Sequence, residues 1–252
     1  RMAVAIMASI ACVAMLIPAF YINERDYIES KPSETKPFKS LVKTFSNVQF
    51  RHFVYSDVIY FFALTLFQTG LAFYETQLME IADTWTFVLT ATMTFISVCL
   101  YPAVNILAKK IGKKQLIIIG FFAYACVFMV TTFCGKGLQW GFIIAVAASI
   151  PMAILGILPQ ACVADVAELT RLETGEDRSG MFFAARTFAF KMGQAIAMVV
   201  FTSVTVSQTK QSYRATAAIA FVTCFIGACI FFTFNEKQIL SRIKELKGSD
   251  EI

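Results

Sequence analysis

The stretch PQACVADVAELTRLETGEDRSGMFFAARTFAFKMGQ, residues Pro159 to Gln194, decides how this chain is read. An apolar run is expected to break at Pro159 and lead into an acidic turn, Asp165–Glu168. A polar segment with both signs of charge follows, then apolar sequence that carries Arg186 and Lys191. Charge within an apolar helix is costly and is usually kept for a function. On a helix, Thr187 and Gln194 share the face of Lys191, and Thr202 falls near the same side, while Phe182, Phe183, Phe188 and Phe190 cover other faces. Lys191 stands near half depth of its run, and a cavity-facing role is expected of it. Snorkelling to the interface is the blander alternative for any membrane cation, and Arg186, nearer the end of the run, suits that alternative better.

Composition supports a membrane setting. Apolar residues make up 58%, charged residues only 15%, and the mean hydropathy is +0.66, which lies outside the soluble globular range. The formal net charge of +5 sits between apolar runs, as membrane flanks do, and no basic patch with interleaved aromatics suggests a nucleic-acid partner. Seven cysteines lie within or at the ends of apolar runs without a C-x-x-C pair, far in sequence from the one histidine, His52, so neither a metal site nor a disulfide framework is expected. An enzyme is not expected either, since no G-x-S-x-G or H-E-x-x-H motif occurs.

A spanning helix needs roughly 20 apolar residues. Runs at 2–22, 53–79, 85–107, 115–134, 138–163, 181–208 and 215–234 qualify, so seven spanning helices are expected. Residues 1–22 are read as one such helix, 23–52 as a cytoplasmic linker, 53–235 as a six-helix bundle and 236–252 as a cytoplasmic tail. Placing the linker in the cytoplasm puts sixteen lysines and arginines on that side and three (Lys136, Lys210, Arg214) on the other. The positive-inside rule selects that orientation.

Within the linker, Pro37 to Phe50 carries Phe38, Leu41, Val42, Phe45 and Val48 at helical spacing, with Lys39 and Lys43 opposite. An amphipathic helix on the inner membrane surface is one reading, and a solvated linker is the other. In the second run Asp57, Tyr60, Gln68 and Glu75 are spaced to share one side of a helix. Thr90, Thr94, Ser97, Tyr101 and Asn105 repeat the pattern in the third, where back-bonding to the helix's own carbonyls is the alternative. Two neighbouring polar faces suggest a hydrated cavity. Asp165, Glu168, Arg171 and Arg178 are expected to form a cytoplasmic gate beside the Gly175–Gly180 loop, or else to be ordinary solvated charges.

The segment from Ala164 to Ala197 resembles the signature of the glycoside–pentoside–hexuronide:cation symporters, the melibiose-permease branch of the major facilitator superfamily. The resemblance rests on Asp165, the Glu173–Arg178 loop, Gly180–Met181–Phe182–Phe183 and Lys191. Val54 to Tyr74 also resembles that family's seventh helix. It implies an all-α membrane protein, the C-terminal half of a twelve-helix bundle, in which two halves rock about a midplane site. It also implies cation-coupled symport of a sugar or related small solute, a sodium ion or proton as coupling cation, and no other cofactor. Most of the cation site, and the partner surface, would belong to an N-terminal half. The expected location is the bacterial inner membrane with a cytoplasmic C-terminus. Gly156 stands where the melibiose branch has a sugar-stacking aromatic, so galactoside is not implied. A lysolipid or other organic-solute carrier, and a non-transporting sensor or scaffold of the same fold, are the alternatives. Thr187, Lys191, Gln194, Gln68, Tyr60 and Thr94 are the expected cavity residues.

Overall fold

The computed structural model describes residues 2–21 and 37–249. The linker positions before Pro37, including Pro32, and the last three residues of the tail lie outside the described residues. Nine α-helices and no strand occur among the described residues: α1 Met2–Tyr21, α2 Pro37–Ser46, α3 Val48–Phe73, α4 Asp83–Ile111, α5 Lys113–Phe133, α6 Leu138–Thr174, α7 Ser179–Thr205, α8 Lys210–Phe231 and α9 Glu236–Ser249. A π-helical segment, Tyr74–Leu78, extends α3. Six helices, α3 to α8, are long and apolar enough to cross a membrane. In α1 the continuously apolar part is shorter, Ala5–Ile17, and its described side chains are exposed.

Two boundaries differ from expectation. α6 runs unbroken through Pro151 and Pro159 to Thr174, so Asp165–Glu168 is helical and not a turn. A proline removes one hydrogen bond and crowds the preceding turn, and burial of Leu155, Leu158, Pro159, Cys162 and Val163 against neighbours holds the helix together across that loss. At 37 residues α6 is about 55 Å long, against about 30 Å of hydrocarbon, so it projects well beyond one membrane face. The helix ends where Gly175 adopts φ +69° and its N–H bonds the Arg171 carbonyl. The other boundary is the linker helix. α2 ends at Ser46, because Asn47 caps a new helix by accepting from Phe50 N–H at 3.0 Å. α2 packs against α7 and α3 with Ser40 and Thr44 buried and Leu41 and Phe45 half-buried, while Val42 is exposed and Val48 already belongs to α3.

α3 is the central member. It packs most closely against α8 and α7, α5 joins α8 to α6, and α4 leans on α6. Its approach to α7 depends on Gly193, where a Cβ would come within 2.8 Å of the Val58 carbonyl oxygen. Toward α8, Ser56 donates to the Gly227 carbonyl at 2.8 Å. α4 and α7 bury the least of themselves, and they carry most of the exposed polar side chains considered below.

Both ends are stapled by charge. At the α9 end, Glu236 is buried and accepts from the first two N–H groups of α5, Lys113 at 2.9 Å and Lys114 at 2.7 Å. A carboxylate there satisfies free donors and complements the helix dipole. Gly112, at φ +95°, makes the turn that presents them. At the opposite end Glu80 takes Lys136 at 2.8 Å and Lys210 at 2.5 Å, tying three loops together. Hydrogen bonds from Lys136 and then Lys210 hold its carboxyl down at about 2, from an ordinary 4.5. A carboxyl depressed on folding stabilises above its unfolded value and ceases to do so as pH falls through its folded value. The loss in melting temperature caused by Glu80→Gln should therefore be full at neutral pH. It should shrink below pH 4.5 and vanish near pH 2. Melting curves of both proteins in detergent across that range check this; a pH-independent gap would contradict it.

Candidate functional site

The start of α7 is set by a tight turn, in which Asp177 Oδ1 accepts from Ser179 N–H at 2.9 Å and from its hydroxyl at 2.7 Å. Phe182 then packs edge-on against Phe50, ring centroids 4.9 Å apart. One turn later Arg186 points into α3. Its Nε donates to Asp57 Oδ2 at 2.8 Å and its Nη2 to Oδ1 at 3.1 Å, with both side chains at least 95% buried. The rings of Phe53, Phe61 and Phe190 lie 5.7 to 5.8 Å from the guanidinium carbon. Two parallel charge-assisted bonds and aromatic faces are what a buried arginine needs to offset its lost hydration. The snorkelling role that suits Arg186 by position is thus not the one it has, because Asp57 on α3 captures it first.

Lys191 is on the open side. It is exposed, with Nζ 5.5 Å from the Phe190 ring centroid, and among the described residues no carboxylate lies within ion-pair distance. Thr187 beside it is exposed and Gln194 half-buried. Gln68 is exposed on α3, three turns above Asp57 on nearly the same side of the helix. Thr187 and Lys191 of α7 and Gln68 of α3 are thus open, and Gln194 is partly so.

The other members of the expected stripes go elsewhere. Tyr60 is buried and faces α5, with Phe121 at 5.4 Å and Tyr124 at 6.2 Å between ring centroids. Glu75 is buried toward α4 and α6. Asp57, Tyr60, Gln68 and Glu75 thus do not form one hydrated stripe. Thr94 is exposed on α4 in an open groove with Thr90, Phe87 and Phe95, and its hydroxyl is bonded back to the Thr90 carbonyl at 2.9 Å. Ser97 is buried, Tyr101 half-buried and Asn105 exposed, so the third run also splits between faces.

Of the four expected gate residues, Glu168 and Arg171 pair with each other, while Asp165 and Arg178 each pair with another residue. Asp165 receives Lys113 Nζ at 2.5 Å, which joins α6 to the start of α5. Glu168 is bridged by Arg171, one turn on, at 2.8 and 2.9 Å, and by Lys247 of α9 at 3.1 Å. Arg178 is buried at the entry to α7 and pairs with Glu176. Sequence reasoning missed Lys113 and Glu236 as structural partners and Asp57 as the partner of Arg186. For Lys113 and Glu236 the readable signal was the Gly112 turn between two lysine pairs, which aims its N–H groups and charges at whatever covers it. Among the described residues no group of three or more His, Cys, Asp or Glu could hold a metal ion.

The family described as MFS/sugar transport protein matches over residues 1–234. No curated protein matches the chain.

The Asp57–Arg186 pair yields a stability prediction. Asp57→Ala strands a buried guanidinium and should cost about 3–5 kcal/mol, whereas Asp57→Leu combined with Arg186→Met should cost much less. Thermal unfolding of the purified variants in detergent measures both. A double variant as unstable as the single one would show that the two groups do not act as a pair.

Proposed function

The chain belongs to the MFS/sugar transport protein family, and on that premise we propose that it carries a sugar or related small solute by cation-coupled alternating access. The branch we favour is the glycoside–pentoside–hexuronide:cation symporters, with a sodium ion or proton as the coupling cation. In this reading α3, α4, α6 and α7 turn toward the N-terminal half of the same transporter, and the α9 end is cytoplasmic in a bacterial inner membrane. The observation that carries the proposal is Lys191: an exposed cation on a membrane-length helix, flanked by Thr187 and Gln194, while its neighbour Arg186 is already neutralised by Asp57. A charge of that kind is unfavourable against lipid. It is at home against a hydrated solute path, or against a carboxylate or anionic solute on the facing half.

The charge pairs at the α9 end support a mechanical role. Asp165–Lys113, Glu168–Lys247 and Glu236 at the start of α5 join α5, α6 and α9 across their ends, as helices that are to move as one body would need. Rocking of such a body about a midplane site is how two-halved transporters alternate. The half-exposed Asp165–Lys113 pair adds at most about 1 kcal/mol by itself, so its contribution is alignment.

The test is uptake into vesicles holding the full-length transporter, driven by an imposed sodium or proton gradient and run over a panel of radiolabelled sugars and sugar acids. Lys191→Ala should abolish gradient-driven uptake while membrane insertion and yield stay near normal. Lys191→Arg should restore it only in part, because a planar fork does not take the place of a compact ammonium. Wild-type uptake by the alanine variant would show that Lys191 merely snorkels, and absence of any gradient-dependent uptake would favour a sensor or scaffold.

A further inference from the structure

The π-helical segment Tyr74–Leu78 carries a carboxyl that the transport reading does not use. Glu75 is only 3% exposed, and its Oε2 has no hydrogen-bond partner among the described residues. Around it lie Leu71, Met79, Leu89, Met93, Gly141 and Ile144, with a void of about 10 Å³ that has room for one water at most. The seam above is tight, since a Cβ on Gly141 would meet Leu89 at 2.7 Å and Ile81 at 2.9 Å. The neighbouring elements bring no cation. From α4 the polar group beside Glu75 is the Thr86 hydroxyl, itself buried and without a hydrogen-bond partner among the described residues, while the charged Asp83 is exposed at the first turn. α6 carries no titratable residue between Leu138 and Gln160. From α8, Thr216 is engaged by Tyr74 at 2.9 Å, and Lys136 and Lys210 are both drawn off by Glu80.

We propose that Glu75 is a proton-binding site, built into the π-helical segment where α3 meets α4 and α6. Hard cations collect about six or more oxygens, and Glu75 belongs to no group of three or more His, Cys, Asp or Glu among the described residues. A proton needs no such shell. When the α4–α6 seam is apart, the Glu75 carboxylate takes one proton from water on Oε2, and the resulting O–H has Thr86 Oγ1 beside it as acceptor. Closure of Leu89 over Gly141 then dries the carboxyl. Loss of the proton would leave a carboxylate with nothing to pair with in that seam, so deprotonation and opening go together. π-helical insertions gather at functional sites, and this one sets Glu75 between two helices that otherwise meet through apolar contacts.

The experiment is infrared difference spectroscopy on the full-length protein in lipid vesicles, without any solute, between mildly acidic and mildly alkaline buffer. Wild type should show the carbonyl stretch of a protonated carboxyl, lost in Glu75→Gln. Thr86→Val, which removes the one polar neighbour, should move that band without abolishing it. A band unchanged in Glu75→Gln, or unmoved in Thr86→Val, would overturn the assignment. Because no solute is involved, failure of the sugar-transport reading leaves this result intact, and the reverse also holds.

Discussion

The bidentate pair between Asp57 and Arg186 is the constraint on which the rest of the arrangement depends. Two ions at least 95% buried must hold each other, because either alone would have lost its hydration for nothing. The pair sits close to where α2 hands over to α3 and where the Phe182–Phe50 contact brings in α7, so it fixes the rotation of α7 about its own axis. Once that rotation is set, Gly193 must meet the Val58 carbonyl and Lys191 must point away from α3. One ion pair thus places a second cation, five residues on, in the open.

Aromatic packing complements the pair. Phe61 stacks on Phe190 at 4.3 Å, so the same two rings that flank Arg186 also join the helices that carry it and its partner. Phe190 in turn lies under the Lys191 ammonium. Apolar contact and charge are therefore interlocked at one level of the bundle. At the ends, charge works alone: Glu236 on the N–H groups of α5, and Glu80 between two lysines. The Glu80 pairs are exposed and individually weak, whereas Glu236 is buried, and both connect chain ends that apolar packing does not reach.

The sequence made the helices legible because twenty apolar residues in a row have few other fates. The six runs between 53 and 234 became α3 to α8, and of the two readings of the linker the helical one holds from Pro37 to Ser46. What periodicity could not reveal was which neighbour each face would meet. Asp57, Tyr60, Gln68 and Glu75 share a side on an ideal helix, yet α7, α5, open surface and the α4–α6 seam receive them respectively. The π-helical turn contributes, because an inserted residue rotates everything beyond Tyr74 relative to the α-helical register. Pro159 misled for a related reason: local propensity favours a break, and burial across the α6 interface overrides it. Arg186 was misread because its depth along the helix was legible and its partner, 129 residues away, was not.

The exposed face of α7 poses the remaining physical problem, and it bears on the proposed function. α4 and α7 bury the least of the six long helices, and α7 carries Thr187 and Lys191 on its open side, with Gln194 partly covered. Lipid is a poor cover for that side, since a cation at mid-helix costs about 2.5–3.5 kcal/mol on insertion scales. Exposed Phe188, Met192, Ile196 and Val199 of the same helix have the opposite requirement. The two sets interleave along α7, so no single solvent satisfies both, and the helix must stand at a boundary between lipid and something polar. In the transport reading proposed above, a second half across a solute path would meet that requirement, with the apolar flank of α7 left to the bilayer. The same reasoning separates Lys191 from Glu75. A cation on an open face needs a partner that arrives from outside this bundle, whereas a carboxyl in a sealed seam needs only a proton and a moment of opening.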